Sequence, residues 1–591
     1  MRRRAPALLG LLVVLAAIAV VLVLVLGPDE GTAGPPDPVT VSPVPGGRWA
    51  SPKTEISLRG LPPRRLGTIE VSGSRSGSHR GRLEPHFDSE GASFVPDEPF
   101  EPGEEVRVST DLIVPGAQDG DYRFWVSHPA EPPPPRTAER PGGAVREFAS
   151  RPDLTTPAIE VPTRAPGRTP GLTFIAPKRG SGLNGPMIVD DAGEVVWARA
   201  APPDTEVFDF RVQRYQGKPV LTWWEGITNL GVGDGEGVVL DTRYRELLRI
   251  RAGNGYTADL HEMLITPRDT ALLIAYPYVH ADLRTVDGPK DGLAIDGVVQ
   301  EIDLETGHVL FEWHSLDHVG LDESHWPLPK DPDKEAYDYA HLNSVGLDTD
   351  GDLLVNSRHT WAAYKIDRRT GTVRWRLGGK KSDFELDEDA RFAYQHDVRR
   401  RADGAITLFD NAASQSPQPG KVSRGLALEL DEGAGTARVL QSFEHPDKLL
   451  GETQGNMEML PNGHVFVGWG AAPAFTEFGA DGKVQLDGRI AEGNDNYRAY
   501  RARWTGRPET RPAVAVSGAK ALVSWNGATE VARWQLVAGP SRDDLRPAGG
   551  APREGFETTL AVPAGARFVA ARAIGPRGGT LGESEPVAAR P

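Results

Sequence analysis

The chain has 591 residues, a net charge of −16 and no cysteine. That length exceeds what one hydrophobic core accommodates, so we expect three or more domains. The acidic balance disfavours nucleic acid as a partner, and the lack of cysteine excludes disulfides, a thiolate nucleophile and a Cys-ligated metal. Many short β-like runs separated by Gly and Pro predict an all-β protein.

The N-terminus carries a candidate membrane segment at residues 1–27. Three arginines precede an uncharged apolar run over residues 5–26, and a helix of that length spans about 33 Å, enough to cross a hydrocarbon core of about 30 Å. The positive flank predicts a single-pass cell-membrane protein whose domains lie outside the cytoplasm. A cleaved signal peptide, which would make the protein secreted, is the alternative. The Pro- and Gly-rich residues 28–46 predict a flexible linker.

Two segments that flank the middle of the chain are predicted to be small β-sandwiches. Residues 47–129 alternate short apolar runs with Pro/Gly turns, and a Pro-rich connector follows at residues 130–169. Residues 512–591 predict a fibronectin-III-like sandwich with Trp525 and Trp534 in its core. Neither segment carries a cluster of reactive groups, so we interpret both as scaffold or spacer.

Residues 170–507 are repetitive. A strand ending in Asp or another polar residue, a Gly turn and a second strand recur six times, as in "MIVDDAGEVVWARA" and "YKIDRRTGTVRWRLGG". Each copy follows another hairpin such as "DTALLIAY", which gives four strands per copy. Six copies of four strands predict a six-bladed β-propeller, closed so that no long sheet edge stays open. The recurring aspartates are Asp190, Asp241, Asp303, Asp367, Asp431 and Asp481.

Three histidines occupy the same position in three successive copies: His261, His341 and His396. Each is followed about eight to ten residues later by a polar turn and then by an apolar strand. The innermost strand of a propeller blade lines the central channel, so we expect the three side chains to converge at one end of it. Histidines that serve local packing have no reason to share a position across repeats.

The returning strands are predicted to add groups at the same end of the channel. Counting along each hairpin places Tyr276, Arg358 and the Asp410-Asn411 pair opposite the three histidines, in that order. Strand alternation adds Asn343 on the face of the second histidine. Two aromatic side chains complete the predicted set, Trp223 and Trp224.

This set is rich in cations and hydrogen-bond donors and has few carboxylates that point inward, which suits an oxyanion. Arg358 offers a planar fork for two oxygens, and a neutral imidazole can act as a nucleophile near pH 7. Aromatic side chains around the mouth would stack a flat leaving group. Strand neighbours face opposite sides, so the expected orienting partner of His396 is Asp410 and not Asp397.

At these residues the sequence resembles the bacterial arylsulfate sulfotransferases. The matching pieces are "DLHEMLITPRDTALLIAY", "DYAHLNSVGLDTDGDLLVNSRH" and "YQHDVRRRADGAITLFDN", and the resemblance covers most of residues 170–507. It implies a six-bladed propeller with its active site in the channel and a ping-pong reaction through a sulfurylated histidine. It also implies an aryl sulfate donor, a phenolic acceptor and neither a nucleotide sulfate nor another cofactor.

The resemblance further implies a role for each matched residue. His396 corresponds to the covalent nucleophile, and Arg358, His341 and Asn343 to the groups that bind the sulfate. His261 corresponds to a third active-site histidine that exchanges a proton with the phenolic oxygen. The short stretch between the arginine and the nucleophile places the resemblance with the subgroup found in Gram-positive bacteria and fungi. Two candidate substrate contacts come from the aromatic set, Tyr276 and Trp223.

Two other classes of function stay open. His261, His341 and His396 would also make a three-histidine zinc site of a metal hydrolase, although a guanidinium beside a dication opposes this. A non-catalytic propeller for binding or adhesion needs no converging histidines. The insertion "HSLDHVGLDESHW" predicts a solvated loop, with a lid or a surface cation site as the alternative; its histidines are His314, His318 and His325.

Overall fold

The computed structural model describes residues 38–134, 142–229, 231–413 and 422–589. Within these ranges strands dominate, and the one α-helix is α1 (Ser315–His318). The predicted all-β class is confirmed. Single turns of 3-10 helix occur at Pro63–Arg65, Arg284–Val286, Leu321–Glu323 and Glu388–Ala390.

Eight strands open the described chain and form two four-stranded antiparallel sheets. They are β1 (Thr40–Ser42), β2 (Ile56–Arg59), β3 (Ile69–Gly73), β4 (Gly77–His79), β5 (Gly81–Pro85), β6 (Gly91–Pro96), β7 (Glu105–Thr110) and β8 (Tyr122–Trp125). The sheets are ordered β1-β2-β6-β5 and β4-β3-β7-β8, and their apolar side chains form one core around Leu58 and Phe124. This arrangement fits the expected sandwich, although β1 lies in the segment for which we predicted a flexible linker. The domain bounds stay predictions.

Two short strands, β9 (Val145–Glu147) and β10 (Thr155–Pro157), pair with each other inside the predicted connector. The strands that follow build the middle region. The first of these are β11 (Ile159–Arg164), β12 (Leu172–Ile175), β13 (Pro177–Lys178), β14 (Met187–Val189), β15 (Val195–Ala198), β16 (Glu206–Tyr215), β17 (Lys218–Asn229), β18 (Val232–Leu240), β19 (Glu246–Ile250), β20 (Met263–Ile265), β21 (Thr270–Ala275), β22 (Tyr278–Ala281), β23 (Gly292–Ile295), β24 (Val298–Asp303) and β25 (Val309–His314). The remaining ones are β26 (Leu342–Leu347), β27 (Leu353–Ser357), β28 (Ala362–Ile366), β29 (Val373–Gly378), β30 (Glu385–Leu386), β31 (His396–Arg400), β32 (Ile406–Asp410), β33 (Arg424–Asp431), β34 (Thr436–Glu444), β35 (Asn456–Met459), β36 (Val465–Gly468), β37 (Ala474–Phe478), β38 (Val484–Ile490), β39 (Asp495–Asn496) and β40 (Tyr500–Ala502).

These strands form successive sheets that close into a ring. The sheet orders are β40-β12-β14-β15, β16-β17-β18-β19, β20-β21-β24-β25, β26-β27-β28-β29, β31-β32-β33-β34-β30 and β35-β36-β37-β38-β11. Neighbouring sheets contact each other from β16 to β20, β21 to β26, β26 to β31, β31 to β35 and β36 to β40, and β40 returns to β16. The region is therefore a β-propeller in which the last strand completes the first sheet.

The recurring aspartates lie at the outer hairpin turns. In each turn the Asp Oδ1 accepts the backbone N–H of the residue two positions later; for Asp367 and Arg369 the distance is 2.8 Å. Short Asp side chains stabilise turns in this way, so the repeat reflects a turn requirement rather than chemistry. The same bond forms at Asp190, Asp241, Asp303, Asp431 and Asp481.

The last eight described strands form a second pair of sheets. They are β41 (Ala513–Ser517), β42 (Lys520–Ser524), β43 (Arg533–Ser541), β44 (Asp544–Pro552), β45 (Thr558–Ala561), β46 (Phe568–Ile574), β47 (Thr580–Glu583) and β48 (Val587–Ala588). One sheet runs β41-β42-β45 and the other β44-β43-β46-β47, with β48 also on β46. Trp534 lies in their common core and Trp525 packs against it, while the fibronectin-III type stays a prediction.

The described chain contains no helix that is both long and apolar enough to cross a bilayer. The predicted segment at residues 1–27 lies outside the described residues. The finding contradicts the single-pass membrane placement that this segment predicted, and we correct that placement.

Candidate active site

The three register-matched histidines lie where inner strands of the propeller begin. His261 lies two residues before β20, His341 lies directly before β26, and His396 is the first residue of β31. The rings of His261 and His341 meet edge to face with their centroids 4.8 Å apart. The Arg358 backbone N–H donates to the His341 carbonyl oxygen at 2.9 Å. The hairpin count therefore placed this arginine correctly opposite its histidine.

Hydrogen bonds fix the tautomer of His396. Its Nδ1 lies 3.1 Å from the Tyr394 carbonyl oxygen and 2.6 Å from Asn411 Oδ1. A carbonyl oxygen only accepts, so Nδ1 carries the proton. The Gln454 backbone N–H donates to Nε2 at 3.1 Å. The lone pair of the ring is therefore on Nε2.

The surroundings of His396 keep the imidazole neutral. The residue is 2% exposed, and burial lowers its pKa well below the ordinary value, with the positive charge of Arg358 acting in the same direction. Its side-chain partner Asn411 is uncharged, so no carboxylate stabilises the imidazolium from that side. A neutral imidazole with its lone pair free of a proton is the form that a nucleophile requires.

His261 is held differently, by a carboxylate. Its Nδ1 lies 2.6 Å from Asp259 Oδ1, and Asp259 Oδ2 accepts the Gly233 backbone N–H at 2.6 Å. Burial lowers the pKa of His261, although Asp259 opposes that shift. A carboxylate behind Nδ1 orients the ring and stabilises a proton that arrives at Nε2, so His261 suits proton transfer.

Asp410, the expected partner of His396, faces away from it. Its Oδ1 accepts the backbone N–H groups of Ala393 and Ala412, and its Oδ2 accepts Arg424 Nε at 3.0 Å. The prediction of Asp410 was therefore wrong by one residue. Asn411, the residue directly after β32, orients the ring instead.

Arg358 is a buried guanidinium that has no carboxylate partner in the described part of the chain. It is 9% exposed, and burial lowers its pKa to about 10. Nη1 contacts His359 Nε2 at 2.9 Å, Nη2 donates to the Glu452 carbonyl oxygen at 3.3 Å, and Nε has no partner. The Tyr394 ring covers one side, 4.8 Å from the guanidinium carbon. A buried, unpaired cation with a free donor is costly unless an anion joins it, so Arg358 is a candidate anion-binding group.

Sequence reasoning missed Asp338 and His359, which complete the cluster. Asp338 Oδ2 accepts from His341 Nδ1, and the Asp338 carbonyl oxygen accepts from His359 Nδ1, both at 2.5 Å. Burial opposes the charge of Asp338, but the nearby imidazoles outweigh it and hold its pKa well below the usual range. Neither residue shares the repeat register, so the register count passed over them. The available sequence signal for His359 was its position directly after Arg358 in "NSRH".

Asp338, His341 and His359 offer ligand atoms within 4.8 Å of one another, so we tested the group as a metal site. Zinc requires about 2.0–2.2 Å to each nitrogen or oxygen, which separates tetrahedral ligand atoms by more than 3 Å. The Asp338 carboxylate instead lies 2.5 Å from His341 Nδ1, which is a hydrogen-bond distance, and 3.8 Å from His359 Nδ1, which donates to the Asp338 backbone carbonyl oxygen. Arg358 Nη1 adds a positive charge 2.9 Å from His359 Nε2. The arrangement is that of a hydrogen-bonded network, and the described residues do not group the three histidines expected for zinc.

Tyr276 and Asn343 have different surroundings. The Tyr276 ring centroid lies 6.0 Å from those of His261 and His341, so the structure brings it to the cluster. Asn343 is fully buried, and its Nδ2 donates to the Gln395 carbonyl oxygen at 2.9 Å. A bulge in β26 at this position breaks the alternation on which its prediction depended. Asn343 therefore ties β26 to β31 and does not face the histidines.

Trp223 and Trp224 are fully buried inside the sheets. Trp223 packs against Trp197 and Phe210, with centroids 6.3 and 5.9 Å away, and Trp224 donates to the Ala258 carbonyl oxygen. The structure therefore does not place Trp223 where the predicted substrate contact required it. An aromatic at the end of a returning strand fills the space between sheets as readily as it faces the channel.

The histidines of the insertion do not form a cation site, because each has its own partner. The ring of His314 contacts Asp296 at 2.6 Å, His318 stacks on Trp313 at 5.3 Å, and His325 stacks on Trp361 at 3.6 Å. The next residue, Trp326, stacks flat on His359 with centroids 4.4 Å apart and is 37% exposed. The insertion thus supplies the aromatic edge of the cluster that we expected from the strands.

Several residues around the same cluster have left-handed backbone. His341, Tyr394 and Gln454 have φ of +50°, +56° and +68°, each of which costs a non-glycine residue about 1–3 kcal/mol. Trp361 and Ala412 also have positive φ, at +53° and +47°. Such strained residues cluster at functional sites because the surrounding structure holds them in place.

The inner strands also carry a buried network of ion pairs. Glu262, next to His261, contacts Arg211 Nη2 at 2.6 Å and Arg498 Nη1 at 3.3 Å, and it also pairs with Arg399. Arg498 donates to the Asn343 carbonyl oxygen at 2.9 Å. The expectation of few inward carboxylates is therefore not met. Carboxylate and guanidinium groups neutralise one another here, whereas Arg358 keeps its charge for a ligand.

The fold and the site together define a β-propeller with a histidine-rich candidate anion site. Residues 211–491 match the family described as arylsulfotransferase (ASST). The match confirms the predicted resemblance over this part of the chain and supports sulfotransferase activity in general terms. Curated protein sequences give no match to the chain.

Solved structures give only distant similarity. A protein of unknown function from Bacteroides caccae has 14% identity and a TM-score of 0.35, covering 57% of this chain and 100% of its own. Virginiamycin B lyase from Staphylococcus aureus has 11% identity and a TM-score of 0.26, covering 58% and 84%. Kuenenia stuttgartiensis hydrazine synthase has 17% identity and a TM-score of 0.28, covering 56% and 78%. These values do not bear on the function of the chain.

Proposed function

We propose that the protein transfers a sulfuryl group from an aryl sulfate ester to a phenol through a sulfurylated His396, with the six sheets acting as the blades of a six-bladed propeller. The observation that carries the proposal is the buried Arg358 guanidinium, unpaired by any carboxylate of the described chain, beside a neutral imidazole whose lone pair is on Nε2. The cation binds a sulfate ester, and the imidazole attacks it.

In the first half-reaction His396 Nε2 attacks the sulfur in line with the aryl oxygen. The N–S bond forms as the S–O bond breaks, and the electron pair of that bond goes to the aryl oxygen, which leaves as the aryl oxide. An oxide that is too basic to leave takes the Nε2 proton of His261 in its imidazolium form, which Asp259 stabilises. Arg358 neutralises charge on the non-bridging oxygens, and His341, which Asp338 holds in place, is the second group that contacts them. The second half-reaction reverses these steps with a phenol, which His261 deprotonates. Tyr276 and Trp326 contact the aryl group.

The proposal is tested by incubating the protein with 4-nitrophenyl sulfate, with and without phenol. We expect phenol to accelerate 4-nitrophenol release and to become phenyl sulfate, and a chelator to have no effect. Without acceptor, rapid quenching and peptide mapping should find the sulfuryl group on the peptide containing His396 alone. A rate of 4-nitrophenol release that does not change with phenol indicates a sulfatase, and a rate that depends on added zinc indicates the metal hydrolase. Absence of 4-nitrophenol release supports a binding module.

The pH dependence of the first half-reaction follows from the low pKa of His396. Burial and Arg358 depress that pKa well below its ordinary value of about 6.5, and only the neutral ring attacks sulfur. The rate is therefore lost as pH falls through the depressed pKa and not before. We expect the burst rate constant with 4-nitrophenyl sulfate, whose leaving group needs no proton, to be constant from about pH 6 to pH 8. An acid limb at or above pH 6.5 would contradict the neutral-nucleophile assignment.

A further inference from the structure

The segment between β34 and β35 encloses the reactive nitrogen of His396. Gln454 donates its backbone N–H to Nε2, while Asn411 Nδ2 donates to the Gln454 carbonyl oxygen at 2.9 Å and to the Gly451 carbonyl oxygen at 2.6 Å. Asn411 also binds the other ring nitrogen. Imidazole, asparagine and segment therefore form a closed ring of hydrogen bonds, and the Gln454 N–H occupies the position from which an attack must begin.

Gln454 does not hold this position by intrinsic preference. Its φ of +68° is left-handed, a region that costs a residue with a side chain about 1–2 kcal/mol. The neighbouring Gly455 also has a positive φ, of +99°. Something outside the segment must fix Gln454 against this strain.

Lys178, on β13, supplies that anchor. Its side chain is 0% exposed, and its Nζ donates to Gln454 Oε1 at 2.7 Å and to the carboxylate of Asp495 on β39. The ammonium also lies 4.6 Å from the centre of the Phe208 ring. The carboxylate of Asp495 would by itself neutralise the buried ammonium. Lys178 Nζ nevertheless directs a second hydrogen bond to Gln454, in the strained segment.

We propose that Lys178 is a positioning residue for sulfuryl transfer, acting through Gln454, an inference that depends on the proposed function. Its ammonium holds Gln454 so that the backbone N–H covers His396 Nε2 in the resting enzyme and passes to a sulfuryl oxygen during the attack. The N–S bond forms from the Nε2 lone pair, the S–O bond to the aryl group breaks, and the Gln454 N–H exchanges one acceptor for another without losing its proton. The N–H thus joins Arg358 in neutralising the sulfuryl oxygens.

Two variants separate this role from simple stabilisation. Lys178→Met removes the ammonium and keeps the unbranched stem up to the ε position, while Gln454→Leu removes the acceptor and leaves the Lys178–Asp495 pair intact. Gln216 is a matched control, because it is also a glutamine with left-handed φ, +49°, but lies exposed at the turn between β16 and β17. The measurement is the burst of 4-nitrophenol release without acceptor, which gives a rate constant and an amplitude.

We expect both variants to slow the burst on the order of 10- to 100-fold, because a small displacement of a reacting group has effects of this size. The amplitude should stay at that of the wild type, and Gln216→Leu should change neither quantity. Gln454→Glu, which keeps an oxygen for Lys178, should recover most of the rate constant. If Lys178 had a purely structural role, its substitution would lower the burst amplitude, which reports the folded fraction, and would leave the rate constant unchanged. Either that result or an unchanged burst in Gln454→Leu overturns the proposal. Failure of the proposed function is distinct, since the wild type would then show no burst.

Discussion

Replacing Arg358 by methionine should remove sulfuryl transfer and at the same time make the protein more stable. The guanidinium is buried, and its Nε has no hydrogen-bond partner among the described residues. Loss of one preorganised group that stabilises transition-state charge lowers kcat by on the order of 10²–10³-fold. Replacement of a buried, uncompensated charge by a shorter, unbranched apolar side chain should raise the free energy of unfolding by about 1–3 kcal/mol, net of the hydrogen bonds that are lost. The measurements are steady-state kinetics with 4-nitrophenyl sulfate and urea denaturation.

Arg424→Met is the matched control for stability. Arg424 Nε lies 3.0 Å from Asp410 Oδ2, so its removal leaves a buried carboxylate without a cation and should destabilise the protein by about 3 kcal/mol. Substitution by methionine is therefore expected to raise the free energy of unfolding at Arg358 and to lower it at Arg424. If Arg358→Met destabilises as much as Arg424→Met does, the charge of Arg358 is compensated within the chain, and the argument for an anion site fails.

Sulfate itself should stabilise the wild-type protein by binding at Arg358. An anion that binds the folded state at Arg358 stabilises it by mass action, so sulfate should raise the unfolding temperature of the wild type more than that of Arg358→Met. Sodium chloride at equal ionic strength controls for screening. Equal shifts in the two proteins would place the effect of sulfate elsewhere on the surface.

The repeat register made the propeller and the position of the histidines predictable. Strand period and turn residues set the hairpins, and a hairpin fixes which residue stands opposite which, so Arg358 could be placed against His341 by counting. The turn aspartates, for example Asp367, follow from the same local rules. These features depend on interactions within one or two hairpins.

Features that depend on irregular backbone or on contacts between sheets could not be predicted. The bulge in β26 turned Asn343 away from its predicted face, and one residue of strand phase separated Asn411 from Asp410. His359 and Trp326 lie outside the repeat, one on a turn and one in an insertion, and meet through stacking. No periodic pattern in the sequence indicates such contacts, because they form where segments that are distant in the chain pack together.

The contact between Lys178 and Gln454 also could not be predicted from the sequence. Lys178 and Gln454 are 276 positions apart in the chain, and neither belongs to a motif. A single lysine on a short strand is ordinarily expected to be exposed. Only the closure of the propeller, which pairs β13 with β39, brings Lys178 beneath the segment that covers His396. Site residues that act through others are therefore the ones a sequence reveals least.

Replacing His396 by glycine should abolish transfer, and added imidazole should restore the release of the aryl group. The substitution removes the nucleophile and leaves a cavity between Asn411 and Gln454, the residues that hydrogen-bond both ring nitrogens. Loss of a covalent nucleophile lowers kcat on the order of 10³-fold or more. Imidazole bound in the cavity attacks the sulfur, so the aryl oxide leaves and N-sulfoimidazole diffuses away.

The product identifies the role of the residue. With His396→Gly, N-sulfoimidazole should form in the same molar amount as 4-nitrophenol, and phenol should not increase the rate, because no sulfuryl group remains on the protein. His359→Gly is the control, since its ring holds Arg358 but is not the nucleophile. There imidazole can only fill space, and phenyl sulfate should stay the product when phenol is present. Detection of N-sulfoimidazole from His359→Gly and not from His396→Gly would move the nucleophile to His359.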